Sequence, residues 1–156
     1  MTTNFNMVGE FHRVFGHPIT TEPQYNIFDT NDKLVKFRQA LIDEENNEFK
    51  EGCEKKDLIE VADALTDMLY VIYGAGHAFG INLDKTFIEV QKSNMSKLCK
   101  TEEEAKTTVE WYINNDTRYK NPQYKQSGDY FIVYDETTSK ILKSINFKLP
   151  NLKDVL

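Results

Sequence analysis

Hydrophobic residues recur at intervals of three and four along most of the first 115 residues, which is the spacing of a helix buried on one face. The pattern predicts five helices, with a candidate cap or helix breaker at most of their ends. The predicted helices cover residues 5–15, 33–51, 58–79, 83–98 and 102–115. The segment 17–31, with its prolines, is predicted to be a loop that ends in candidate N-caps.

The pattern changes after a polar link at residues 116–129. Two short apolar runs, 130–134 and 140–145, are joined by the turn-forming segment 135–139 and predict one β-hairpin. An isolated hairpin is marginally stable, so it must pack on the helices or on a neighbouring subunit. We therefore expect an all-α fold, a bundle of about five helices with a small C-terminal hairpin. At 156 residues it is expected to be a single domain, 1–156, with the bundle in 1–115 and the hairpin extension in 128–147.

The third predicted helix is the most hydrophobic, and its polar residues are confined to one arc about 100° wide. That arc contains Glu60, Asp63, Asp67, Tyr70, Gly74 and His77. A helix with this distribution is central to the bundle. Its polar arc faces either water or an internal polar site.

The second predicted helix has one face that is apolar at Leu34, Phe37 and Leu41 and continues with Glu45 and Glu48. Glu44 lies one position round the helix and four residues before Glu48, so it can share a site with it. An ordinary solvated acidic face is the alternative explanation. It is weakened because none of the three glutamates has a lysine four residues later.

The two acidic clusters are separated by a short link, so the helices can pack antiparallel and bring their acids face to face. Carboxylates gathered in this way repel one another, and a divalent cation with oxygen ligands is the simplest way to satisfy them. Asp57 and Glu60 could instead form a capping box, which would explain Glu60 but not Asp63 or Asp67.

Charge and composition limit the partners. The net charge is −6 and there is no run of Lys or Arg, so neither nucleic acid nor an anionic membrane is an expected partner. Neither a signal peptide nor a membrane-spanning apolar run is recognised, and Cys53 and Cys99 lack the spacing of a metal site. A cytoplasmic protein with reduced thiols is expected.

The order E-E-x-x-E at 44–48, a short link and E-x-x-D at 60–63 resembles the all-α nucleoside triphosphate pyrophosphohydrolases. This superfamily includes MazG, phosphoribosyl-ATP pyrophosphohydrolase and the dimeric dUTPases. The resemblance extends over residues 11–98. It includes the segment FHRVFGHP from Phe11, Arg38, and the segment FIEVQKSNMSK from Phe87, which is similar to the phosphate-side motif of the dUTPase-like branch. The final hairpin and tail also resemble the end of many such proteins.

The resemblance implies Mg²⁺-dependent attack of water on the α-phosphate, releasing a nucleoside monophosphate and pyrophosphate, with Mn²⁺ as a possible substitute metal. The implied substrate is dUTP or another non-standard nucleotide, removed from the nucleotide pool. The implied metal ligands are Glu44, Glu45, Glu48, Glu60 and Asp63. Glu44 or Glu45 would also orient or deprotonate the water, and Asp67 would have a supporting role.

The resemblance also suggests substrate-binding residues. Arg38 and Lys97 would contact phosphate oxygens, and Asn94 would contact phosphate or sugar. His12, with Phe11 and Phe15, would lie near the base. Lys97 could equally be a solvated lysine at a helix end, and the aromatic residues are more simply explained as a core stripe.

The third predicted helix has more apolar surface than its short neighbours easily cover, which predicts a homodimer or homotetramer. Two other functional hypotheses remain open. One is a helical interaction protein whose acidic face binds a basic partner. The other is a sensor that keeps the nucleotide and metal site without turnover.

Overall fold

The computed structural model describes residues 2–156, and its secondary structure is mostly helical. Within that range the helices are α1 (Asn4–Phe15), α2 (Ile27–Thr30), α3 (Asp32–Lys55), α4 (Leu58–Phe79), α5 (Leu83–Met95) and α6 (Glu102–Asn115). The strands are β1 (Pro122–Ser127), β2 (Tyr130–Asp135) and β3 (Lys140–Ile141), and a 3₁₀ turn follows at Leu152–Asp154. This architecture confirms the predicted fold class, a helical bundle with a small C-terminal β structure. In the described range no helix has both the length and the apolarity needed to cross a bilayer.

Contacts within the chain define two compact units, one ending at Thr86 and one running from Phe87 to Val155. The first unit contains α1 to α4 and the beginning of α5. The second contains the rest of α5, α6 and the sheet. The expectation of a single domain stays a prediction.

Helices α3 and α4 form a helical hairpin whose link is only two residues long. The predicted stop at Gly52 is wrong, because α3 continues to Lys55 and ends on Lys56 in the left-handed conformation, with φ of 57°. Gly52 is buried for a different reason. A Cβ there would stand 3.1 Å from the backbone nitrogen of Val61, so the glycine allows the start of α4 to pack closely. Asp57 caps α4 through its Oδ1, which accepts from the backbone N–H groups of residues 59 and 60.

Helix α4 has the predicted bounds and ends on Gly80 in the left-handed conformation, with φ of 72°. A side chain at this position would collide with the carbonyl of Glu22, which belongs to the loop crossing the end of α4. Two backbone hydrogen bonds hold that loop, from Thr20 to His77 at 3.0 Å and from Gln24 to Phe79 at 2.9 Å. The segment predicted to be all loop also contains α2.

Helix α1 packs on α4 through Phe5, Val8 and His12, all of them buried. The Nε2–H of His77 donates to the Phe5 carbonyl at 2.7 Å, and the two rings stack 3.8 Å apart. Phe15 does not continue the buried stripe and is 66% exposed. It is the last residue of α1, and it lies at the end of the helix on the same side as Val8.

In the second unit, β2 lies between β1 and β3 in an antiparallel sheet. The predicted hairpin is present, but its second strand pairs only over Lys140–Ile141. The better-paired hairpin was not predicted. It joins β1 to β2 through Gly128 and Asp129 and places Tyr124 opposite Val133.

The core of the second unit contains Cys99, Ala105, Tyr112, Val133 and Leu142. Asp135 is also buried, with 1% of its surface exposed. Its carboxylate accepts from the backbone N–H of Asn121 at 3.0 Å and from the N–H and hydroxyl of Thr138 at 3.0 and 2.8 Å. These hydrogen bonds lower the pKa of Asp135.

Candidate active site

Helices α3 and α4 run antiparallel, which brings their acidic segments together. Gly52 near the end of α3 meets Val61 near the start of α4, while Arg38 lies beside Gly74 further along. Glu45 lies between these two levels of contact on α3. The predicted face-to-face arrangement of the two acidic segments is therefore present in the first unit.

Glu45 is the most enclosed of these acids. It is only partly exposed, and its Oε2 atom is buried without a hydrogen-bond partner. Burial raises the pKa of Glu45, and repulsion from neighbouring carboxylates raises it further. In decreasing order, the repulsion comes from Glu48, Asp67, Glu44 and Asp63. Asp67 thus acts on Glu45 more strongly than Asp63 does.

A groove of about 300 Å³ lies between α3 and α4 near the link that joins them. It is lined by Glu48, Glu51, Lys55, Glu60 and Asp63. Sequence reasoning did not single out Glu51 or Lys55. Their spacing could have indicated that they face the same groove as Glu48, since residues 48, 51 and 55 share one helix face.

Lys55 is the cation inside this groove. Its Nζ lies 2.9 Å from Oε2 of Glu60 and 3.9 Å from Oε2 of Glu51. The capping-box explanation of Glu60 holds only for Asp57, because the Glu60 carboxylate faces Lys55 instead of returning to the helix start.

The other four predicted metal ligands and Asp67 form no ion pair and no side-chain hydrogen bond with any residue that the structure describes. Across residues 2–156, no three His, Cys, Asp or Glu side chains converge tightly enough to form a ready metal site. The acids are instead distributed along the two helices. Their donor atoms are all carboxylate oxygens, which suit a hard divalent cation.

Arg38 is a buried cation on the same face of α3, two helical turns before Glu45. Only 4% of its surface is exposed, and its Nε and Nη2 atoms have no hydrogen-bond partner. Burial lowers the pKa of Arg38, but a guanidinium remains charged at any physiological pH.

His12 lies beside Arg38 and is 3% exposed. Its Nε2 and the Nη1 of Arg38 would each lie 2.9 Å from a Cβ on Gly74, so the glycine makes room for both. The Nδ1–H of His12 donates to the Pro18 carbonyl at 2.7 Å. Burial lowers the pKa of His12, helped by Arg38, so the ring is neutral at pH 7 and Nε2 is an acceptor.

The remaining predicted substrate residues have separate surroundings. Asn94 and Lys97 belong to the second unit, where Lys97 Nζ donates to Asn94 Oδ1 at 2.8 Å. Phe11 packs against Phe15 and Tyr70, with ring centroids 4.4 and 5.5 Å away.

The second unit has a larger cavity of about 580 Å³, whose lining includes Lys100, Glu104, Tyr130 and Lys148. Glu104 is its only acid, and that carboxylate already accepts from the Lys100 backbone and from the Asn146 amide. The acids that cluster are those of α3 and α4, which line the groove and include, near it, the unpartnered oxygen of Glu45. The acidic surface between α3 and α4 is therefore the candidate active site.

An antiparallel helix pair with E-E-x-x-E on one helix and E-x-x-D on the other is the arrangement expected for the all-α nucleotide pyrophosphohydrolases that the sequence resembles. The family model for phosphoribosyl-ATP pyrophosphohydrolase matches residues 8–94, which is more than half of the chain, and the protein belongs to that family. The family is part of the MazG-like nucleoside triphosphate pyrophosphohydrolase superfamily, whose members act on phosphoanhydride bonds of nucleotides and are typically metal-dependent. The chain is therefore a nucleotide pyrophosphohydrolase.

A relative extends the similarity beyond the family model. An uncharacterized protein of Acanthamoeba polyphaga mimivirus is 30% identical, with 99% of this chain and 96% of the relative aligned. The similarity thus includes the C-terminal sheet as well as the helices.

Proposed function

We propose that the chain is a Mg²⁺-dependent nucleoside triphosphate pyrophosphohydrolase that releases a nucleoside monophosphate and pyrophosphate. The observation that supports this most directly is a pair of unsatisfied charges on one face of α3. Glu45 has a buried, unpartnered carboxylate oxygen, and Arg38 has buried, unpartnered guanidinium nitrogens. Buried charges are normally paired. A metal–nucleotide complex carries both a cation for Glu45 and phosphate oxygens for Arg38.

The metal ligands in this proposal are Glu44, Glu45, Glu48, Glu60 and Asp63. All five provide carboxylate oxygens, as Mg²⁺ requires and Mn²⁺ accepts. When bound, such a cation neutralises the triphosphate and lowers the pKa of a coordinated water. Asp67 supports the site through its proximity to Glu45.

The chain's own contribution to the reaction is a proton acceptor beside the phosphate. The oxygen of a water molecule forms a bond to the α-phosphorus. The bond between the α-phosphorus and the oxygen that joins it to the β-phosphorus breaks, and pyrophosphate leaves with that electron pair. The water's proton goes to a carboxylate, either Glu45 or its neighbour Glu44.

Arg38, Lys97, Asn94 and His12 are the proposed substrate contacts. Arg38 would donate to phosphate oxygens in the fork geometry of its guanidinium. His12 has a different role from a phosphate-binding cation, because its free Nε2 is an acceptor. It would accept from a hydroxyl or N–H of the nucleotide. Lys97 and Asn94, which already contact each other, would bind phosphate or sugar.

The test of this function is a panel of nucleotides assayed for pyrophosphate release with Mg²⁺ or Mn²⁺. The panel contains dUTP, the normal and damaged nucleoside triphosphates, and phosphoribosyl-ATP because the family model is named for it. We expect dUTP or another non-standard nucleotide to be the preferred substrate.

The matched variant is Glu48→Gln, which keeps the size of the side chain and removes its charge. Glu48 is exposed, so the variant should fold, and we expect pyrophosphate release to fall by at least about a hundredfold. Circular dichroism and thermal melting check folding. A folded Glu48→Gln protein with wild-type activity would contradict the proposed metal site.

We also propose that the enzyme is a homodimer or homotetramer. Helix α4 exposes Leu58, Leu65 and Leu69 by 79%, 45% and 50%, at spacings of seven and four that place them on one face. A second copy of the chain would cover this stripe. Light scattering measures the mass, and Leu65→Glu with Leu69→Glu is expected to shift it to the monomer. A monomeric wild-type protein would contradict this.

A further inference from the structure

Lys55 occupies an unusual position for a lysine at the end of a helix. It is the last residue of α3, yet its ammonium lies in the groove between α3 and α4, against acids from both helices. The nearest is Glu60 at 2.9 Å, followed by Glu51 at 3.9 Å. The contact therefore bridges the two helices within the groove of the candidate site.

Glu60 differs from the other proposed metal ligands in this respect. Of the five carboxylates, it is the one that has a cationic partner among residues 2–156. An ammonium and a divalent cation are attracted to the same carboxylate oxygens and repel each other. The Lys55 ammonium and a divalent cation therefore compete for the carboxylate of Glu60.

The ion pair between Lys55 and Glu60 can form and break readily. The side chains of Lys55 and Glu60 are 56% and 47% exposed, so the ion pair is screened by water and salt. Lysine is also a flexible side chain with a compact charge, which can leave a site without disturbing the backbone.

We propose that Lys55 is a built-in counter-ion of the acidic groove, which competes with the catalytic divalent cation for Glu60 and thereby sets the metal affinity of the enzyme. This inference rests on the proposed metal site. Metal binding displaces the Lys55 ammonium from Glu60 into the solvent at the edge of the groove. When the metal leaves, the ammonium returns and reduces the repulsion among the remaining acids.

The competition has a consequence for selectivity. A monovalent ion or a weakly bound divalent ion has to overcome the lysine, whereas a nucleotide-bound metal brings additional contacts that compensate. Lys55 therefore raises the threshold for metal binding in the absence of nucleotide.

The experiment is a titration of the full chain with Mn²⁺ alone, followed by calorimetry, on the wild type and three lysine variants. Lys55→Met removes the competing ammonium, and we expect its Mn²⁺ dissociation constant to be lower by roughly three- to tenfold. Lys55→Arg keeps a cation and should bind Mn²⁺ like the wild type. Lys50→Met is the matched charge control, because Lys50 is on the same helix, is exposed, donates to Asn47 and forms no ion pair with any residue of 2–156.

Each outcome decides the proposal. Tighter binding by Lys55→Met alone supports it. Equal affinities for the two methionine variants, whether both unchanged or both tighter, overturn it, because only the net charge would then matter. Weaker binding by Lys55→Met also overturns it. If neither the wild type nor Lys55→Met binds Mn²⁺ in a protein that melts normally, the proposed metal site itself fails, and this inference fails with it.

Discussion

Two carboxylates, one in each unit, differ in the hydrogen bonds and charges that surround them. Asp135 in the second unit is almost completely buried, and three donors from residues 121 and 138 satisfy its oxygens. Glu45 in the first unit has a buried oxygen that receives no hydrogen bond and is surrounded by four other acids. The pKa is lowered for Asp135 and raised for Glu45.

We interpret this difference as that between a structural acid and an acid of the proposed metal site. Asp135 is ionised because the fold needs its charge, and its partners are already present in the chain. Glu45 is held in surroundings that disfavour its charge, so the chain by itself does not stabilise the ionised form. An acid placed at a cost to stability is expected at a site that a ligand completes.

Among the variants that test the contrast between Glu45 and Asp135, Glu45→Gln is expected to have the largest effect. Pyrophosphate release should fall by at least about a hundredfold, because the variant loses both a metal ligand and a proton acceptor. In EDTA the same variant should melt about 1–3 °C higher than the wild type, because one charge is removed from the repelling cluster. Calorimetric melting and a pyrophosphate assay measure the two effects.

The control for that variant is Glu54→Gln, an exposed acid near the end of the same helix that does not line the groove. It should change neither activity nor melting temperature. If Glu45→Gln melts lower than the wild type in EDTA, then Glu45 is a structural acid like Asp135, and the contrast is lost.

The next effect is expected for Asp135→Asn. An asparagine keeps one acceptor oxygen and turns its NH2 group towards the N–H of either residue 121 or residue 138, so at least one hydrogen bond is lost in a buried position. We expect the melting temperature to fall by about 5–10 °C, while pyrophosphate release per folded molecule is retained. Asp129→Asn, in the exposed turn between β1 and β2, is the matched control and should melt like the wild type. Loss of activity in folded Asp135→Asn would assign this acid a catalytic role.

The smallest effect is expected in the pH dependence of stability. The pKa of Asp135 in the fold is below its ordinary value of 3.8, so its contribution is present above that value and is lost as the pH falls through the lower folded pKa. Melting temperatures measured between about pH 2 and pH 5 should therefore fall more steeply with acid in the wild type than in Asp135→Asn. Parallel curves for the two proteins would show that Asp135 does not contribute in this way.

Most of the helical part of the fold could be predicted because its signals are local. The bounds of α4 follow from Asp57 as a cap, a continuous apolar face and Gly80 as a stop. The end of α3 could not be predicted from Gly52 alone. That glycine is needed because Val61 of the next helix packs closely against it. A contact between two helices cannot be recognised from the sequence of one of them.

Strand β1 was missed for a related reason. Its sequence, PQYKQS, has little apolar content, and it becomes a strand by pairing with β2. The Gly128-Asp129 pair was the available signal, since such a dipeptide between two runs favours a tight hairpin. The apolar run that follows β2 predicted the pairing of β2 with β3, which is present but shorter than the pairing of β2 with β1.

The acids of the candidate site were recognisable because two glutamates interrupt an apolar stripe. The involvement of Lys55 was not, because it depends on the angle at which two helices fold back on each other. The stronger effect of Asp67 than of Asp63 on the pKa of Glu45 depends on the same packing. Sequence periodicity assigns residues to a face, but the distances between facing side chains come only from tertiary structure.

The polar composition of β1 also affects how the protein behaves at high concentration. This strand pairs with β2 along one side and is a free edge along the other, where an apolar sequence would invite a second molecule to add a strand. Its exposed Gln123, Lys125 and Gln126, together with Pro122 at its start, discourage such pairing. The opposite edge, β3, is only two residues long. Neither edge of the sheet therefore offers a long apolar strand to which a second molecule could add.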